Sequence, residues 1–217
     1  MPDSEGLVSQ DSYLEVSLES SGSYEFEATG SFIKRLVGSF VDDGIGVGDR
    51  ITSDNGSNPG SLTVTVVTAL QLTVAEAVVD SAAAATVLTV FVPVGEVQSM
   101  TTPAGEPSEI DMSHLRSTSR EFRNGLRDEG SVSGEMNFVP SDRGQQLMVE
   151  MQAEKTGRKV AITVPPVDDG AVQLDGYRWT FTGLVRGMPV SLAVDEKATR
   201  SFTIRVSGTP DEAVITA

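Results

Sequence analysis

Between Glu19 and Val92 the chain repeats one device, a short run of alternating Val, Thr, Leu, Ile or Phe followed by a turn rich in Gly, Asn or Asp. The runs are YEFEA, FIKRLV, DRITS, SLTVTVVTA, LQLTVAEAV and TVLTVFV, and DDGIGVGD and DNGSNPG punctuate them. Alternation with period two places every second side chain on one face, as a half-buried strand requires. Gly tolerates positive φ, and Asn and Asp bond back to their own backbone, so these clusters reverse the chain. Five or six short strands joined in this way predict a small barrel or sandwich. TVTVVTALQLTVAEAV reads as a hairpin around Ala69–Leu70, although it lacks the usual Asn-Gly turn.

The flanking sequence has a different rhythm. Residues 1–12 read as a polar arm, and YLEVSLE as a strand with Leu14, Val16 and Leu18 on one face, closed off by an SSGS spacer. Beyond Val94, VGEVQSMTTP predicts a short strand, AGEPSE a loop, and STSREFRNGLRDEG (Ser117–Gly130) a long charged loop. SVSGEMNFVP alternates again, with Val132, Met136 and Phe138 as inward positions. One helix is expected in PSDRGQQLMVEMQAEKTGRK, with Ser141 as N-cap and Asp142 in the first turn, where the helix dipole favours a negative charge. Leu147, Met148 and Met151 form its apolar stripe, and Gly157 is its expected stop beside Lys155 and Arg158. KVAITVPP, YRWTFTGLVRGMPVSLAV and TRSFTIRVSG add three or four strands. Many strands and one helix predict a mainly β (α+β) fold.

Charge and composition narrow the function. Acidic residues outnumber basic ones 31 to 16, for a net charge of −15. Sequence-specific binding of nucleic acid depends on clustered Lys and Arg, so this balance argues against it. The absence of cysteine removes disulfides, thiol nucleophiles and thiolate metal sites. The single histidine, His114, stands in DMSHLRS without the glycines of a nucleophile elbow. The acidic turns lack the ligand spacing of a calcium loop, and no phosphate-binding glycine motif precedes a helix. Aromatics are few, which leaves little for a sugar-stacking platform. No cofactor, metal or catalytic residue is expected. The N-terminus is acidic and no apolar run reaches 18 residues, so neither a secretory signal nor membrane insertion is expected.

Three segments taken in order resemble the major tail tube proteins of siphophages. VGEVQSMTTPAGEPSEIDMSHL is similar to the family's early strand, loop and Ile-Asp-Met-Ser stretch. REFRNGLRDEGSVSGEMNFVPSD, Arg120–Asp142, is similar to its Arg-Glu-Phe-x-x-Gly-Leu-x-Asp-x-Gly run, the following strand and the proline before the helix. Ile162–Gly208 resembles its closing strands, with a final strand ending in Ser-Gly. The resemblance implies two packed antiparallel sheets flanked by a helix. It further implies self-assembly into stacked hexameric rings, a hollow tube that holds the tape-measure protein, meets a tail-terminator protein and later conducts DNA, and a place in the virion after assembly in the host cytoplasm. Residues 1–18 and 93–217 would form the tube domain. Residues 19–92, with nine acidic and three basic side chains, depart from that pattern and read as an inserted β-domain projecting outward.

Under this resemblance the charged loop becomes a subunit contact. Arg116, Arg120, Arg123 and Arg127 would pair with a neighbour's carboxylates, since the guanidinium fork suits interface carboxylates. Phe122 and Leu126 would be the apolar anchors, Gly125 and Gly130 would supply the turns, and Glu121, Asp128 and Glu129 complete the expected contact set. Acidic residues on or beside late strands, Asp175, Asp195 and Glu196, are candidates for the tube lumen, where like charge would keep DNA from adhering. Other readings left open are a tail terminator, a contractile-tail or type VI-like inner tube, a capsid decoration protein, and a receptor- or carbohydrate-binding module.

Overall fold

A computed structural model describes residues 12–58, 60–114, 118–154, 156–168, 173–194 and 196–216. The expected polar arm, apart from Ser12, lies outside them, as do Arg116, Lys155 and Asp195. Contacts divide the chain into two compact units, Glu15–Pro93 and the flanking segments up to Leu14 and from Val94 onward.

The first unit holds β1 (Tyr13–Glu27, whose first two residues fall in the other unit), β2 (Phe32–Arg35), β3 (Arg50–Ser53), β4 (Ser61–Val67), β5 (Gln71–Val74) and β6 (Ser81–Val94). Hydrogen-bonded neighbours run β1-β2-β5-β4-β3-β6 and return to β1, a closed barrel with no free edge among its six strands. Its interior is the alternating apolar set of the sequence, including Tyr24, Phe26, Ile33, Ile51, Leu72, Leu88 and Val90. The β4–β5 hairpin turns at Thr68–Gln71, around Ala69–Leu70, where the sequence places it.

The expected SSGS spacer is instead the middle of one continuous strand. Ser20 is buried and its hydroxyl lies 2.6 Å from the Tyr24 hydroxyl, while a Cβ at Gly22 would sit 3.0 Å from the Tyr24 ring. Small residues here make room for the tyrosine; they do not end the strand. Tyr24 stacks on Phe40 at 5.6 Å, and Arg35 lies over both rings while donating to Asp43 at 2.6 Å. Burial pushes the Asp43 carboxyl up, but the Ser20 hydroxyl and Arg35 outweigh it and hold it below its usual range. Glu15, paired with Arg50, goes the other way, because burial outweighs the guanidinium and raises it.

The second unit contains β7 (Val97–Met100), β8 (Glu106–Asp111), β9 (Phe122–Asp128), β10 (Ser131–Asn137), α1 (Arg143–Ala153), β11 (Arg158–Val164), β12 (Val167–Asp168), β13 (Gln173–Leu174), β14 (Gly176–Gly187), β15 (Val190–Ser191) and β16 (Thr199–Ile215). Its strands follow the order β11-β14-β16-β10-β7, with β15 paired to the start of β16 and β12–β13 and β8–β9 as separate hairpins. The fold is mainly β with one helix, the class expected from the sequence. Val132 and Met136 are buried, whereas Phe138, beyond the end of β10, is half-buried beneath Arg200.

Helix α1 buries Leu147, Met148 and Met151 and packs on β14. Its N-cap is Asp142, not Ser141: the Asp142 side chain accepts the Gln145 N–H at 2.8 Å and also the Gly95 N–H at 3.3 Å. Gln145 is buried, and its amide group bonds Asn137 O, Gly95 O and the Val139 N–H. That knot ties the helix start to the ends of β6 and β10. The helix stops at Ala153, not at Gly157. Glu154 is extended, and its carboxylate accepts from Arg158, the first residue of β11, turning the chain into that strand. The last strand also runs beyond the expected Ser-Gly end. Gly208, at φ +77°, lets β16 bulge between Ser207, opposite Thr182, and Asp211, opposite Thr180, and pairing resumes to Ile215.

Candidate assembly interface

The charged stretch expected as a loop is strand β9, paired antiparallel with β8, which takes in part of the expected AGEPSE loop. Facing pairs are Glu106–Asp128, Pro107–Arg127, Glu109–Asn124, Ile110–Arg123 and Asp111–Phe122. The register slips between Pro107 and Glu109, so Ser108 alone opposes Gly125 and Leu126. Gly125 is therefore a bulge residue inside the strand and not a turn; a Cβ there would meet Ser108 Oγ at 2.4 Å and Ile110 Cδ1 at 3.1 Å. Gly130, at φ +73°, does make the turn into β10.

Every residue of β8 is exposed, and in β9 only Gly125 is partly covered. This hairpin nevertheless carries large apolar side chains: Ile110 is 48% exposed, Met112 48%, Phe122 51% and Leu126 89%. A two-stranded ribbon with no covered face has little reason to hold that much apolar surface on its own account.

The root of the hairpin is fastened within the chain. Arg205 on β16 donates from Nη2 to both oxygens of Asp128, at 2.7 and 2.5 Å. Asp128 Oδ1 also accepts the Gly130 N–H at 2.9 Å. The Gly130 N–H, then Arg205, hold the Asp128 carboxyl below its usual range. Arg127 Nε lies 3.2 Å from Glu129 Oε1, with Glu129 buried and the pair packed where a Gly105 side chain would be. Gly130 O accepts the Val206 N–H.

The expected contact set thus divides. Arg127, Asp128 and Glu129 are engaged within their own chain at the root of the hairpin. Arg120, Phe122, Arg123 and Leu126 project from the exposed hairpin, and among the described residues Arg120 and Arg123 form no ion pair. Glu121 is exposed and engaged within the chain. Of the acidic candidates on late strands, Asp175 and Glu196 are both exposed. Arg205 and Ile110, which the sequence reading passed over, belong to the same structure; the alternation in SEIDM was the available signal for Ile110, while nothing local marked Arg205 as a partner of Asp128.

A model of the family described as phage tail tube, TTP, lambda-like, matches residues 77–214. The chain belongs to that family. The match runs from just before β6 through the hairpin, α1 and nearly all of β16, so it takes in every residue of the exposed ribbon. No curated protein matches the chain. The protein is accordingly a structural component of the bacteriophage virion, a tail tube protein. As a tail tube protein it assembles into a tube with other tail proteins.

Proposed function

We propose that this tail tube protein self-associates into stacked hexameric rings around a channel for DNA, and that the β8–β9 hairpin is the element by which one copy grips another. The observation that carries this reading is the hairpin itself, an anchored ribbon with four exposed large apolar residues and two unpaired arginines. Membership in a tube-forming family gives that surface a use, because stacking and ring closure need heterologous contacts between copies. Anchoring at Asp128–Arg205 fixes where the ribbon starts and so lowers the ordering cost of docking. The barrel of Glu15–Pro93 has a closed strand cycle and its own core, which suits a module that projects from the tube without forming its wall. Asp175, exposed before β14, stays a candidate for an acidic lumen. Tape-measure and tail-terminator proteins are the further partners of this reading.

Purified protein examined by negative-stain electron microscopy should form rings or tubes of regular repeat. A species that stays strictly monomeric at high concentration overturns the proposal.

A further inference from the structure

The hairpin needs a receptor on the neighbouring copy, and the second unit presents a surface of matching chemistry. Between β10 and the segment joining β15 to β16 lies a pocket of about 560 Å³, lined by Glu135, Leu192, Ala193, Glu196, Lys197 and Thr199. Leu192 is 78% exposed, and Val194 beside it in sequence is 89% exposed. Among the described residues, Glu135, Glu196 and Lys197 form no ion pair, so the pocket offers two carboxylates and one ammonium beside bare apolar surface. The distal half of the hairpin offers the converse. Ile110, Met112 and Phe122 are its apolar surface, and Arg120 and Arg123 bracket Phe122 with unpaired positive charge. Of its carboxylates, Asp111 is already engaged by the Ser113 hydroxyl and N–H, and Glu109 stands opposite the neutral Asn124. Most other arginines of the unit are committed too: Arg127, Arg158 and Arg205 to carboxylates and Arg200 to the Phe138 ring.

The geometry points to a contact between copies. The hairpin is rooted at Arg205 and the pocket reaches Thr199, six residues away along β16, roughly 20 Å at strand rise. Among the described residues, the ribbon's extensive packing is between its own two strands. Two different patches that complement one another make a heterologous contact, which propagates into rings or stacks where a two-fold contact would close into a dimer.

We infer that the pocket formed by Glu135, Leu192 and Glu196 is the socket that receives the distal β8–β9 hairpin of a second copy, with Arg120 and Arg123 meeting its carboxylates. This rests on the reading of the hairpin as a tube contact. Two charge-reversal variants test it: Arg120→Glu with Arg123→Glu on the hairpin, and Glu135→Arg with Glu196→Arg on the socket. All four positions are at the surface, and circular dichroism and thermal unfolding should confirm a folded chain in each case. Each variant alone should lower tube yield by about tenfold or more, the effect of losing contacts of hot-spot strength. An equimolar mixture should recover tubes, because alternating copies then place Glu against Arg and Arg against Glu at every contact. A chain carrying all four changes should recover them as well. If the hairpin variant fails and the socket variant assembles normally, the socket is wrong while the hairpin contact stands. If both fail and neither the mixture nor the combined chain recovers, the two surfaces do not meet and the inference is overturned. If the hairpin variant assembles normally, the hairpin contact itself falls, and this inference with it.

Discussion

Gly134 and Phe122 lie close in sequence and are under opposite demands. Gly134 faces Met100 of β7 on one side and Phe202 of β16 on the other, and a Cβ there would sit 2.3 Å from Ser99 O and 2.6 Å from the Phe202 ring. Neither the backbone carbonyl nor a ring only 1% exposed can yield readily. Gly134→Ala should therefore destabilise the folded chain by about 1–3 kcal/mol, read as a lower urea midpoint with an unchanged slope. An unchanged midpoint would mean that the close approach relaxes without cost. Phe122, half-exposed on the ribbon, contributes little to the monomer's core. Phe122→Ala should leave the unfolding free energy within about 0.5 kcal/mol of the parent, as surface changes do, and sharply reduce tube yield. Full tube yield from both Phe122→Ala and Arg120→Glu would remove the hairpin from the assembly contact.

At the scale of elements, the hairpin's setting depends on one ion pair at its root. The Asp128 carboxyl is held low by the Gly130 N–H and Arg205, so its folded pKa lies below its unfolded one. Such a group stabilises the fold above the unfolded value, near 3.8, and that contribution is lost as pH falls through the depressed one. Hydrogen exchange at the Gly130 and Val206 amides, corrected for intrinsic rates, should be well protected at neutral pH and lose protection in acid. Arg205→Ala should lose it already at neutral pH. Equal protection in that variant would show that the backbone bonds alone hold the root. The same stretch explains where the sequence was hard to read. Asn124-Gly125 between charged residues has the chemistry of a turn, yet here Gly125 occupies a bulge opposite Ser108, and the partner strand that makes β9 a strand lies beyond a connecting segment. Strand β9 also has no buried face, so its residues carry no apolar signal of period two. The barrel strands and α1 were legible because each buries one face, as Leu72 and Val74 do in β5 and Leu147, Met148 and Met151 do in α1. The helix ends were not, because Asp142 and Glu154 are fixed by Gly95 and Arg158, contacts that no local pattern contains. Phe122 and Leu126, expected from the sequence as apolar anchors, are exposed, whereas the engagement of Asp128 with Arg205 joins positions 77 residues apart.

For the whole molecule, the decisive separation is between the barrel unit and the rest of the chain. The family match begins at residue 77 and includes β6, while the contact division assigns most of β6 to the unit Glu15–Pro93. That strand belongs to the matched region by sequence and to the barrel by packing, so a deletion must be placed with care. Removing only the segment between β1 and β6 would leave Tyr24, Phe26, Leu88 and Val90 with no barrel to cover them, an apolar surface prone to aggregation. Deleting residues 22–91 removes those side chains together with the strands they face, and β1 and β6 are hydrogen-bonded neighbours, which favours a short Asn-Gly linker from Ser21 to Val92. The shortened chain keeps the hairpin, its Arg205 anchor and the Leu192 pocket. It should form tubes of the parent's axial repeat but smaller outer diameter, measured by averaging electron micrographs of both. Folded protein that makes no tubes would place the barrel in the wall, and tubes of unchanged diameter would show that the barrel does not project from it.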